Sequence, residues 1–202
     1  HHRYAEHQRL EDEYPDNIWD ATLSWRRMNP PVLGYEFWDI AVGRMVKQGD
    51  PVTLEVQSGR TEVKKGDFIL PIDDHVYDPQ MIPHAMDPVP DGMEVIALTQ
   101  ARYGAGHYQI VAINAGNNQG VEPGHVFSAF RPGKRIQDEV KYPQGSWESN
   151  TTLNAKMVTL PDQYSAHILV FRVFDEVSYA MIMDGKRPVR ERDILKHPDE
   201  IL

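Results

Sequence analysis

Residues 111–130 read VAINAGNNQGVEPGHVFSAF, and this stretch decides the fold class. Apolar residues dominate both of its ends, whereas glycine, asparagine and proline fill its middle. This pattern is typical of a strand, a glycine turn and a returning strand, so we predict a hairpin here. The stretch contains no catalytic motif, and it therefore indicates a β-rich binding or scaffolding module and not an enzyme.

The same kind of pattern continues on both sides of this stretch. From residue 31 onward, short runs rich in Val, Ile, Tyr and Phe alternate with clusters of Gly, Pro, Asp and Asn. Residues 48–51 (QGDP) supply turn chemistry between residues 34–44 and 52–57, which predicts a second hairpin. The sequence thus predicts a mainly β protein with barrel- or sandwich-like β lobes.

The chain is expected to consist of an entry segment and two lobes. Residues 1–30 are charged, and the spacing of their apolar residues predicts a short N-terminal helical segment over residues 18–28. Residues 31–98 are predicted to form the first β lobe and residues 99–202 the second. Residues 131–154 combine Pro, Gly and charged residues, which predicts a protruding insertion in the second lobe.

Composition excludes several classes of protein. The 202 residues are enough for a sizeable core, and the absence of cysteine rules out disulfides and thiolate metal sites. A net charge of −9 argues against nucleic acid as a partner. No apolar run is long enough for a membrane-spanning segment. The first residue is not Met, so we expect a trimmed chain, in which His1 and His2 are either native or the end of a tag.

Six motifs follow one another in a fixed order along the chain. They are VLGYE (32–36), GDPVTLEV (49–56), KGDFILP (65–71), QIVAINAG (109–116), GVEPGHVF (120–127) and VFRVFDEVSYAMIM (170–183). This ordered set resembles the C-terminal region of bacterial LysM-containing, peptidoglycan-binding proteins of the Gram-negative cell envelope, and it covers roughly residues 31–197. The turn around Gly116 and Gly124 is also similar to the C-terminal domains of flagellar outer-ring proteins.

The resemblance implies a setting and a class of partners. It implies a β fold in the periplasm or cell envelope, with a signal peptide that is not present in this chain. The LysM unit of the family is a compact βααβ module that holds N-acetylglucosamine-containing glycans, and no such segment occurs here. Peptidoglycan would therefore be reached through a LysM unit outside this chain, and envelope proteins are the expected partners.

Three functions follow as hypotheses. The leading one is a non-enzymatic cell-envelope module that acts as a scaffold or partner-recognition domain. The first alternative is a peptidoglycan-active hydrolase, although the sequence lacks a nucleophile elbow, a zinc-protease motif and a phosphate-binding loop. The second alternative is a structural component of a larger envelope assembly, which the flagellar likeness and the insertion favour. No cofactor is expected.

The sequence offers two groups of candidate binding residues. Glycines let backbone N–H groups approach a ligand, but their spacing here fits tight turns better, so we favour turn geometry over a ligand loop. Aromatic residues in the insertion are candidates for a protein interface. The turn group is Asn114, Gly116, Gly120 and Gly124, and the interface group is Tyr142 and Trp147.

Two further groups contain metal-ligand residue types. Three histidines in or beside predicted strands would form a zinc site if they converged, but we favour separate half-buried histidines. An acidic stretch has oxygen and imidazole ligands, but its spacing matches no EF-hand, so we favour a solvated loop. The histidines are His107, His125 and His167, and the acidic stretch has Asp73, Asp74, His75 and Asp78, followed by His84 and Asp87. We therefore predict no metal site.

Overall fold

The structure is a computed structural model, and it describes residues 4–8, 32–72, 81–99, 101–137 and 157–200. Its described residues are mainly β, and the only helix among them is a short 3₁₀ helix at Asn117–Gln119. The chain divides into two compact units, His1–Asp78 and Pro79–Leu202. The predicted helix over residues 18–28 lies outside the described residues and has no support from them.

The first unit contains two antiparallel strand pairs. Strand β1 pairs with β2, and β3 pairs with β4 around the turn at residues 48–52. This turn confirms the second predicted hairpin, but its first strand is shorter than residues 34–44 because the chain leaves the strand conformation at residues 38–40. The bounds are β1 Tyr4–Gln8, β2 Val32–Phe37, β3 Ala41–Lys47 and β4 Thr53–Gly59.

The second unit is built on a seven-stranded sheet. Its strand order is β13-β8-β11-β12-β7-β6, and β5 runs parallel to the start of β8. Strands β9 and β10 form a separate antiparallel pair. The bounds are β5 His84–Ala85, β6 Val95–Leu98, β7 Ile110–Ile113, β8 His125–Arg131, β9 Arg135–Gln137, β10 Met157–Thr159, β11 Gln163–Val173, β12 Ser178–Gly185 and β13 Ile194–Lys196.

The prediction of a hairpin over residues 111–130 is wrong. Both strands exist, as β7 and β8, but the β11–β12 hairpin lies between them in the sheet. The resulting order, β8-β11-β12-β7, is that of a Greek key. The connection at residues 114–124 is too long for a tight turn, and it crosses the tip of the β11–β12 hairpin. There the Asn117 N–H donates to the Phe174 carbonyl at 2.8 Å, and the Asn118 N–H donates to the Asp175 carbonyl at 3.0 Å.

The two edge strands of the seven-stranded sheet, β6 and β13, contact each other over a few residues. Glu94 forms an isolated bridge with Ile194, and the Leu195 N–H donates to the Met93 carbonyl at 2.8 Å. No continuous ladder joins β6 to β13, so the described residues form open sheets and no closed barrel. Because β6 pairs with β7, it belongs to the second unit, and the division of the chain falls before residue 98.

The core of the described residues lies in the second unit. In β12 buried and partly buried residues alternate, whereas β7, β8 and β11 each bury runs of three or more consecutive residues, so both faces of the central strands are covered. The largest of these side chains include Phe127, Ile113, Ile168 and Val170. The strongly apolar runs in β11 and β12 therefore supply the centre of the fold.

Candidate functional site

A tight turn brings Glu122 and His125 together at the start of β8. Pro123 and Gly124 occupy its two central positions, and the His125 N–H donates to the Glu122 carbonyl at 3.2 Å. Gly124 has a φ of 100°, which L side chains rarely adopt. Proline followed by glycine at a positive φ is the preference of a type II turn. The sequence EPGH thus places the Glu122 carboxylate and the His125 ring at the first and last positions of one turn.

Strand β5 adds a second histidine to this turn. His84 lies beside His125 in the parallel pairing, and its N–H donates to the Gly124 carbonyl at 2.9 Å. The two imidazole rings meet edge to face, with their centroids 4.6 Å apart. A Cβ atom on Gly124 would lie 3.0 Å from the His84 ring and 2.7 Å from the Ile82 carbonyl oxygen. Glycine is therefore needed here for space as well as for its φ angle.

Hydrogen bonds fix the proton positions on both rings. The Ile82 carbonyl can only accept, so the His84 Nδ1 atom, 2.9 Å away, donates to it, and a lone pair is left on Nε2. The His125 Nδ1 atom accepts the Glu122 N–H at 3.0 Å, which leaves the proton on Nε2. Burial lowers the pKa of His125, a proton on nearby His84 would lower it further, and Glu122 opposes these effects. The lowered pKa favours the neutral form of the buried His125 ring.

The described residues bring together a group of potential metal ligands, in which one donor atom of each residue lies within 4.8 Å of the others. The group is His84, Glu122 and His125. Two imidazoles and a carboxylate suit zinc and similar ions. The alternative in which His125 converges with His107 and His167 is not found in this group. His107 stacks on Tyr108 instead, and His167 bonds to Tyr164 and Asp184. Residues 73–78 lie outside the described residues.

Backbone angles, close contacts and hydrogen bonds explain the residue types of the turn group. Gly120 ends the 3₁₀ helix with a φ of 79°, and Gly124 is the turn glycine described above. Gly116 has an extended backbone, but a Cβ atom there would lie 2.2 Å from the Phe174 carbonyl oxygen. The Asn114 side chain accepts from the Glu94 N–H and donates to the Gly92 carbonyl. A ligand role for this group, the alternative to turn geometry, stays untested, and Tyr142 and Trp147 lie outside the described residues.

Asp193 is a buried carboxylate that the sequence did not single out. Its side chain is 2% exposed and accepts from the Ser165 hydroxyl at 2.9 Å and the Arg190 N–H at 3.0 Å. The Arg131 guanidinium lies 3.5 Å away. Burial raises the pKa of Asp193, although these three partners lower it in part. All of its contacts are structural, joining the start of β13 to β11 and β8.

This raised pKa predicts a pH dependence of stability. Across the window from the ordinary value of 3.8 up to the raised pKa, the folded state binds more protons than the unfolded state, so Asp193 contributes less stability as pH rises. The quantity to compare is the free energy of unfolding of the wild type minus that of Asp193→Asn. Within this window, we expect this difference to fall by up to about 1.4 kcal/mol per pH unit. Urea unfolding between about pH 4 and 7 measures this difference. A difference that grows with pH would mean that the pKa is lowered.

A different kind of surface lies on the β3–β4 hairpin. Met45 stands opposite Leu54, and Gly43 stands opposite Val56, so these side chains share one face of the hairpin. Arg44 and Glu55 pair on the other face. Met45 is 56% exposed and Val56 57% exposed, while Leu54 is half-buried. We call Met45, Leu54 and Val56 the apolar hairpin face.

Comparisons with known proteins do not assign a family. No family pattern matches this chain, and no curated protein matches it. Among the described residues, no helix has the length and apolar character needed to cross a membrane.

Proposed function

We propose that this chain is a non-enzymatic cell-envelope module that acts as a scaffold or partner-recognition domain. The observation that carries the proposal is the apolar hairpin face. An antiparallel pair usually buries its apolar face and leaves its polar face in water. Here Met45 and Val56 are exposed together on one face, and Val42 and Val46 of the same hairpin are exposed as well. Such clusters mark interaction sites more often than single exposed residues do.

The envelope setting is supported by the ordered motifs of the sequence. Residues 49–56, which include most of β4, are one of these motifs, so the apolar hairpin face lies within the region of resemblance. A peptidoglycan-binding LysM unit outside this chain would bring the module to the cell wall. The hairpin would then contact a protein partner through its apolar side chains and its strand edges.

Two polar groups that could take part in hydrolysis have other partners among the described residues. The Asp193 carboxylate is enclosed by Ser165, Arg190 and Arg131, and the His167 Nδ1 atom lies 2.7 Å from the Tyr164 hydroxyl and 3.0 Å from Asp184. The Asp193 contacts connect the start of β13 with β11 and β8, and the His167–Asp184 contact connects β11 with β12. They favour recognition over catalysis, and muropeptide release from sacculi by the purified chain would overturn this part of the proposal.

Changing one residue of the apolar hairpin face should weaken partner binding. Met45→Gln keeps the side-chain length but replaces the apolar thioether end with an amide, so burial at an interface would lose about 1.5 kcal/mol or more. This corresponds to at least a tenfold loss of affinity. Capture from an envelope extract with immobilised protein measures the loss. Arg44→Gln on the opposite face is the matched control, and an equal loss in both variants would contradict the proposal.

A further inference from the structure

We propose that His84, Glu122 and His125 form a binding site for a divalent transition-metal ion of the zinc type. This site is independent of the apolar hairpin face and goes beyond partner recognition. Its three donors come from β5 and from the turn before β8, and all lie within 4.8 Å of one another. Two histidines and one carboxylate form an open ligand set that leaves room for water or a partner's side chain.

The spacing requires only small side-chain movements. Donors on one tetrahedral zinc ion, with bonds of about 2.0–2.1 Å, lie about 3.3 Å apart. His84 and Glu122 are exposed, so both side chains can turn toward an ion at little cost. His125 is only 7% exposed and is held by the sheet and by Phe127, whose ring centroid lies 6.1 Å from that of His125. One fixed donor and two adjustable donors can close on an ion.

His84 has a hydrogen bond that suits a metal ligand. Its Nδ1–H donates to the Ile82 carbonyl, and in the neutral ring this leaves the lone pair on Nε2 for an ion. Ligating histidines commonly donate their other ring N–H to a backbone carbonyl in this way. Among the described residues, nothing forms a hydrogen bond with the Nε2 atom of either ring. His125 is therefore a buried residue whose Nε2–H has no hydrogen-bond partner in the described part of the chain.

His125 must change one hydrogen bond when an ion binds. A neutral imidazole has a single ring lone pair, and on His125 it accepts the Glu122 N–H. The ion must either take Nδ1 itself or bind Nε2 after the proton moves to Nδ1, and the contact with the Glu122 amide opens in both cases. Losing one such hydrogen bond lowers the affinity by about tenfold relative to a ring with a free lone pair.

A bound ion would stabilise the attachment of β5 to the sheet. Strand β5 has only two residues, and among the described strands it pairs only with β8. A bound ion would add a second connection between His84 and the turn at residues 122–125. We therefore expect zinc to slow amide hydrogen exchange at residues 84 and 85 more than elsewhere in the sheet.

Zinc titration of the metal-free full chain tests the proposal. The chain has nine histidines, so a matched control is essential. We expect binding of zinc by calorimetry, with affinity at least about tenfold lower in His84→Ala and several-fold lower in Glu122→Gln. His107→Ala should bind as the wild type does. His84 and His107 are both exposed, so neither change should disturb folding, and circular dichroism checks this.

Nitrogen NMR of the rings supplies a second readout. Without metal, His125 should show the tautomer that is protonated at Nε2, and zinc should shift the signals of His84 and His125 but not those of His107. The absence of zinc binding would overturn the proposal. So would equal losses in His84→Ala and His107→Ala, or zinc-dependent shifts at all histidines alike.

Discussion

Gly116→Ala is expected to lower the free energy of unfolding by about 3 kcal/mol. The added Cβ atom would lie 2.2 Å from the Phe174 carbonyl oxygen and 2.6 Å from that of Asp175. Both are backbone atoms, so no side-chain rotation can relieve the overlap. The φ of −141° at Gly116 suits any residue, and the loss is therefore steric and not conformational.

The same overlap should separate the crossing loop from the β11–β12 tip. The N–H groups of Asn117 and Asn118 donate to the two carbonyls that the new methyl group would displace. Urea unfolding measures the change, and Gly106→Ala is the control because its Cβ would come no closer than 3.9 Å to another group, the Gln109 side chain. We expect less than about 1 kcal/mol for the control. Similar losses in the two variants would contradict the crossing of the loop over the hairpin.

Asp193→Ala is expected to cost about 3 kcal/mol of folding free energy. The change leaves the Ser165 hydroxyl and the Arg190 N–H without their acceptor and removes the charged partner of Arg131, which keeps its bond to the Pro188 carbonyl. Burial of the charged Asp193 carboxylate lowers the stability of the fold. Leaving the donors of Ser165, Arg190 and Arg131 without this acceptor lowers it more. The damage should spread to the junction of the sheet ends, where the Asp193 carbonyl accepts the Val95 N–H at 2.9 Å.

Asp184→Ala is the control for this change. Asp184 also contacts a polar side chain, with its Oδ1 atom 3.0 Å from the His167 Nδ1 atom, but its own side chain is 73% exposed. Exposed pairs contribute little, so we expect a loss below about 1 kcal/mol. Urea unfolding of both variants at neutral pH makes the comparison. If the two losses were equal, Asp193 would not be the buried anchor of β13.

The strands of the second unit could be predicted from local sequence, but their order could not. The apolar runs at residues 167–174 and 179–184 are visible in the sequence and coincide with most of β11 and β12. A local pattern does not report which strands pair, because pairing depends on contacts far apart in sequence. The glycines of residues 114–124 suggested a hairpin turn, whereas they belong to a loop that crosses another hairpin.

The candidate metal site was divided between two separate sequence patterns. His84 belonged to an acidic stretch and His125 to a set of strand histidines, and neither pattern contained Glu122 as a ligand. The EPGH turn could have linked Glu122 to His125, because proline and glycine at its centre fix the geometry. The parallel pairing of β5 with β8 could not have been foreseen from a two-residue strand. Asp193 stands in a charged run, where no local signal indicates burial.

Site-specific photo-crosslinking from position 45 tests the central claim most directly. A photoreactive residue in place of Met45 would sit on the apolar hairpin face, and the same residue in place of Arg44 would sit on the opposite face of the same strand. In cells of the source organism, we expect a discrete crosslinked envelope protein from position 45 and none of that mass from position 44. Identical products from both positions, or no product from position 45, would contradict recognition of a partner through this face.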